Sequence, residues 1–163
     1  MADYYTPTVV QQTIPPTAMT PLETLILRRI FDSETIDGNL YFFSECGPDD
    51  APRFDPAELR QALEQSKEIP SSIYGAIKDK LASADPSAGE IELDLSIASW
   101  ECIFQDIVKR SPALNSISVV ASFICSEMRP DGFGGMVTLI TAQTILVATT
   151  GAILEKWLAE HSP

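Results

Sequence analysis

Charge is segregated along this chain, and that segregation limits what it can fold into. Residues 31–106 carry 17 Asp or Glu against 5 Lys or Arg, which accounts for the whole formal net charge of −12, and the two flanks together are neutral. From Ser111 to Leu154 the only charged side chains are Glu127, Arg129 and Asp131. A stretch so short of charge is expected to supply much of a core. Carboxylates are almost never buried without a partner, so the acidic middle is expected to decorate a surface.

One domain is expected for 163 residues. A chain of this length buries roughly two-thirds of its unfolded surface and needs no disulfide or metal staple. Hydrophobic residues make up 45% of it, which argues for a packed globule over disorder. The acidic balance disfavours direct nucleic-acid binding, which needs Lys or Arg to neutralise phosphates. It disfavours an anionic membrane surface for the same reason. The partners it fits are proteins: basic ones, or ones with apolar patches, with a homo-oligomer left open. The competing reading is that the acids serve solubility alone.

Cys46, Cys102 and Cys125 form no CxxC pair and no even framework, so reduced thiols and a cytoplasmic setting are expected. No basic n-region precedes an apolar h-region at the N-terminus. Met136 to Ile153 is uncharged, yet it holds five Thr, Gln143 and Gly151, and reads as protein core instead of a membrane span.

Along the chain, residues 1–19 read as an extended arm, with Pro7, Pro15 and Pro16 excluding regular helix. The arm is expected to lie as a strap on the domain formed by 20–163. Thr20-Pro21-Leu22-Glu23 is a helix start with N-cap, Pro at N1 and Glu at N3. Leu22, Leu25, Ile26, Ile30 and Phe31 form its apolar stripe. Asp37-Gly38 marks a turn, and Asn39–Ser44 a strand. Asp55-Pro56-Ala57-Glu58 starts a second helix, ending near Lys67, and Pro70-Ser71-Ser72 a third. Glu90 to Leu95 alternates strictly, predicting a strand with Ile91, Leu93 and Leu95 inside.

Ser96 or Ser99 then caps a helix carrying Ile97, Trp100, Ile103, Phe104, Ile107 and Val108. A hairpin over 116–128 and 133–141 turns at Arg129-Pro130-Asp131-Gly132. The run 141–148 fits either strand or helix. A final helix places Ile153, Leu154, Trp157 and Leu158 inward. The order predicts an α+β fold: a small, mostly antiparallel sheet packed with about five helices.

No catalytic residue is assigned and no cofactor or metal is expected. His161, the single histidine, sits near the chain end, where frayed structure suits a catalytic base poorly. Cys46 follows a strand, but Glu45, Asp49 and Asp50 oppose thiolate formation there. Asp131-Gly132-Phe133-Gly134-Gly135 is glycine-rich without matching a phosphate-binding loop. The candidate binding residues are Glu90, Glu92 and Asp94, which share one strand face at about 6.6 Å spacing. Such a row could mimic phosphates toward a nucleic-acid-binding protein, or merely be a solvated face. Two alternatives stand beside it. One is a metal- or carboxylate-dependent enzyme built on Glu90, Glu92, Asp94 and Asp106. The other is a small-molecule binding domain with its pocket between hairpin and helices.

Four motifs carry a resemblance: Thr20-Pro21-Leu22-Glu23, Leu40-Tyr41-Phe42-Phe43, Trp100 with Gln105-Asp106-Ile107-Val108, and Arg129 through Gly135. Together they resemble a group of small acidic uncharacterised proteins encoded on plasmids and genomic islands of alphaproteobacteria. The resemblance implies an accessory role on mobile elements, where anti-restriction and anti-CRISPR proteins are also found, and it carries over no site residues. The expected function is therefore non-enzymatic: a soluble accessory protein acting by protein–protein contact through its acidic surface.

Overall fold

The computed structural model describes residues 1–85, 89–94 and 99–161. Two short strands open the chain, β1 (Tyr4–Tyr5) and β2 (Thr8–Val10), followed by a 3-10 turn at Pro16–Ala18. Then come α1 (Pro21–Ile30), the hairpin of β3 (Asp32–Ile36) and β4 (Asn39–Ser44), the short β5 (Arg53–Phe54), α2 (Pro56–Gln65) and α3 (Ser72–Ser83). β6 (Ile91–Glu92) pairs with β5 in a separate small sheet. α4 (Trp100–Arg110) leads into a meander of β7 (Ser116–Cys125), β8 (Gly134–Thr141) and β9 (Ile145–Thr149), and α5 (Thr150–His161) follows. The fold is α+β, with an antiparallel main sheet that contains the expected C-terminal hairpin.

The main sheet runs β3-β4-β2-β7-β8-β9, with β1 also paired to β7. The N-terminal arm is thus no strap. β2 lies between β4 and β7, and Val10 and Ile14 are fully buried. The prolines allow this because Pro7 and Pro15 bracket the strand and leave its ladder donors intact. Ile14 adds one further bridge to Leu40. β3 lacked an alternating pattern. It is imposed from outside, by a two-residue turn with Asp37 at φ 50° and Gly38 at φ 81°, which folds it back on β4.

Local signals set the helix starts. The Thr20 side chain accepts from Glu23 N at 3.1 Å while Glu23 Oε2 accepts from Thr20 N at 2.9 Å. The Glu23 carboxylate is completely buried, and it also takes Ser71 Oγ at 2.8 Å and an ion pair from Arg110 in the last turn of α4. One cap therefore ties three helices together. Asp55 Oδ1 caps α2 through Ala57 N and Glu58 N. The α1 stripe is rotated slightly from expectation: Leu27 is fully buried, while Leu25 is only half-buried. The alternation after residue 90 holds as far as it is described, with Ile91 and Leu93 buried and Glu92 and Asp94 exposed. The regular strand is shorter than expected, extended past Glu92 only by Leu93 N to Pro52 O at 3.0 Å. Leu95, Ser96 and Ile97 lie outside the described residues.

Helices α1 to α4 and one sheet face enclose a core, where Phe31 and Phe104 each meet Phe42 and Trp100 edge-on. The opposite sheet face is open: none of its outward side chains on β3, β4, β2, β7, β8 or β9 is buried. The ambiguous run after Thr141 contains β9, registered on β8.

The last helix corrects the sequence reading. Ile153, Leu154, Trp157 and Leu158 were expected inside, yet they are 38%, 55%, 58% and 58% exposed. α5 starts at Thr150, directly after the last residue of β9. No residue remains to turn it back over its own sheet, a reversal that ordinarily takes two to six. The uncharged run from Met136 to Ile153 is most of β8, a turn, β9 and the start of α5. Among the described residues no helix is long and apolar enough to cross a membrane.

Candidate functional site: an acid-lined cleft beside Trp100

The described cleft that gathers most carboxylates has a volume of about 470 Å³. Its walls come from five places: Thr6 and Thr8, the Pro48-Asp49-Asp50 loop, Asp94, the Ser99-Trp100-Glu101 start of α4, and Met136 on β8. The size falls within the range of ligand pockets.

Each wall has a local cause. Past β4, Gly47 adopts φ 131°, a conformation L side chains rarely take, and its N–H donates to Ser44 Oγ at 3.0 Å. That bend delivers Asp49, whose N–H donates to Ile30 O at the end of α1 and whose Oδ1 accepts from Ala51 N at 2.9 Å. Trp100 sits at the first position of α4. Its ring stands edge-on to Phe31 and Phe104, with centroids 5.7 and 6.0 Å away, and the half-buried residue forms part of the cleft wall. The sequence placed Trp100 in the core, and the structure places it at the core's rim.

Asp49, Asp50, Asp94 and Glu101 line the cleft, and among the described residues no Lys, Arg or His does. The α4 N-terminus contributes only about +0.5 charge, far less than four carboxylates remove. The field is negative, and an indole face beside it favours a cation further. Chemically, the cleft fits a guanidinium or an ammonium group.

The row of acids read from the sequence divides among different settings. Asp94 joins the cleft. Glu92 is held by Arg53 at 3.1 Å, and Glu90 lines a separate shallow depression with Arg29, Asp49 and Arg53. Asp106 accepts from Ser72 N at 2.6 Å at the head of α3 and pairs with Lys109 at 3.6 Å. These four carboxylates do not converge, and no described group of three or more His, Cys, Asp and Glu could hold a metal ion. The sequence reading passed over the cleft roles of Asp49, Asp50 and Glu101. The one visible signal was the Asp49-Asp50 doublet just past Gly47.

Two surface cations have raised pKa values, Lys67 chiefly through its hydrogen bond to Glu64 and Arg129 chiefly through its hydrogen bond to Glu127, and neither lines the cleft. Cys46 is exposed, Cys102 half-buried and Cys125 buried, all as free thiols. His161 is exposed in the last turn of α5, with Nδ1 2.9 Å from Trp157 O. The glycine-rich turn is explained by packing. A Cβ on Gly132 would lie 2.5 Å from Cys125 Cβ, and one on Gly134 would lie 2.8 Å from Thr150 Oγ1.

No family model, curated protein or solved structure matches this chain.

Proposed function

We propose that this chain is a non-enzymatic accessory protein that captures a basic segment of a partner protein in the Trp100 cleft. The observation that carries the reading is the lining: four carboxylates around a half-buried indole, with no cation among the described lining residues. The net charge of −12 supports it, since the far field steers basic partners toward the molecule before contact. Three free thiols suit a reducing cytoplasm as the setting. The pairing of Glu92 with Arg53 favours the cleft over the 90–94 strand as the binding surface. A basic nucleic-acid-binding protein is the finer form of this partner.

An oligoarginine peptide is the probe. Titrated against the protein, it should quench or shift Trp100 fluorescence in a Trp157→Phe background. Association should be fast and should weaken steeply with salt, since exposed charges are screened beyond about 8 Å at physiological ionic strength. Asp49→Asn, Asp50→Asn and Asp94→Asn together should weaken binding on the order of a hundredfold, given that each desolvated charge pair contributes on the order of 1 kcal/mol. Glu90→Gln should leave it unchanged. Equal binding by the triple variant at every salt concentration would sink the cleft as the site.

A further inference from the structure

Among the described residues the open sheet face buries none of its outward side chains, and α5, which starts against β8 and β9, buries none of its own. On the open face the pairing register lines up Phe43, Val9, Val120, Val137 and Ala148, an apolar row across five strands. Helix α5 presents Ile153, Leu154, Trp157 and Leu158 at helical spacing, and none of its described residues is buried. A 12-residue helix is marginal in water by itself, because helical stability comes mostly from packing one face.

We propose that a second copy of this chain covers both surfaces, with α5 of each copy lying across the open sheet face of the other around a two-fold axis. Four observations favour a second copy as the occupant. First, the two surfaces complete each other as layers, since a helix and a sheet each bury one apolar face. Second, the dimensions agree: α5 is about 18 Å long, and five strands spaced about 4.8 Å apart span about 19 Å. Third, the area is adequate. The four α5 side chains with Val137 and Leu146 leave on the order of 700 Å² of side-chain surface in water, close to the ~800 Å² per partner of a standard interface. Fourth, the charge permits it. Two copies of net charge −12 repel, yet β4, β2, β7, β8 and β9, the strands under the apolar row, carry no acidic residue; Asp32 and Glu34 lie on β3, beside β4. The connection explains why the exchange is between copies: α5 follows β9 with no loop, and Thr150 Oγ1 accepts from Gly135 N at 3.1 Å, pinning its start.

Sedimentation equilibrium over roughly 1 to 100 µM, a range that brackets ordinary dimer affinities, is the test. Twice the chain mass is expected. Trp157→Glu on the helix and Val137→Glu on the sheet should each weaken the dimer on the order of a hundredfold, as expected for a charge placed at the centre of an interface. Both side chains are exposed in the single copy, so circular dichroism should show the sheet retained in each variant. Mixing the two variants should restore association, because the mixed pair keeps one helix-on-sheet contact with both partners intact. A monomer throughout the range would overturn the proposal, as would a dimer indifferent to both substitutions. A mixture that dissociates like its components would overturn the exchanged arrangement.

Discussion

Leu93 and Glu92 are neighbours with opposite environments, and they offer a sharp check on register. Leu93 is 4% exposed in the core cluster, and truncation to Ala should cost about 2–5 kcal/mol in a urea melt. The Glu92 side chain is about half exposed in its pair with Arg53, and such surface pairs contribute about 0–1 kcal/mol. Glu92→Gln should therefore barely move the midpoint. If both substitutions destabilise equally, Ile91–Glu92 pairs in another register. The thiols grade in the same way. A neutral-pH thiol reagent should modify Cys46 first, Cys102 more slowly and Cys125 last, followed by mass spectrometry of native protein. Rapid modification of Cys125 would place β7 wrongly.

At the scale of elements, the arm is the informative case. A strap on the surface would tolerate truncation of its side chains. As an inner strand it should not: Ile14→Ala should cost about 2–5 kcal/mol, the usual range for a fully buried position. A loss below about 1 kcal/mol in the same melt would contradict burial of the arm, since surface truncations stay in that range.

The elements legible in the sequence were those whose cause is local. Thr20 with Glu23, Asp55 before Pro56, Asp37-Gly38 and the 91–94 alternation each act within a few residues, and each appears where expected. Thr8-Val9-Val10 says strand, but nothing in three residues says which strands will flank it. The stripe on α5 says that something will cover the helix, not whether its own sheet can reach it. The cleft was illegible because its walls come from five segments that only the fold brings together, and because Trp100 serves core and surface at once.

At the scale of the whole molecule, the acid-lined cleft and the exposed helix α5 are neighbours: Met136 in the cleft wall pairs with Thr149, the residue before α5. Near the pI of about 4.3 the carboxylates no longer keep molecules apart, while α5 still offers apolar contacts. A solubility minimum is expected there, read by light scattering across a pH series. Trp157→Glu should make it shallower. An unchanged minimum would mean that aggregation does not use α5.

The inner position of β2 also bears on how the molecule is made. Gln12, which follows β2, bonds to Ser118 across 106 residues of sequence. A ribosome adding about 5–20 residues per second needs roughly 5–20 s to cover that gap. Through that interval β2 has been synthesised and β7 has not. The β2–β7 pairing can form only after that gap is covered, and until then β4 is the one flanking strand of β2 that has been made.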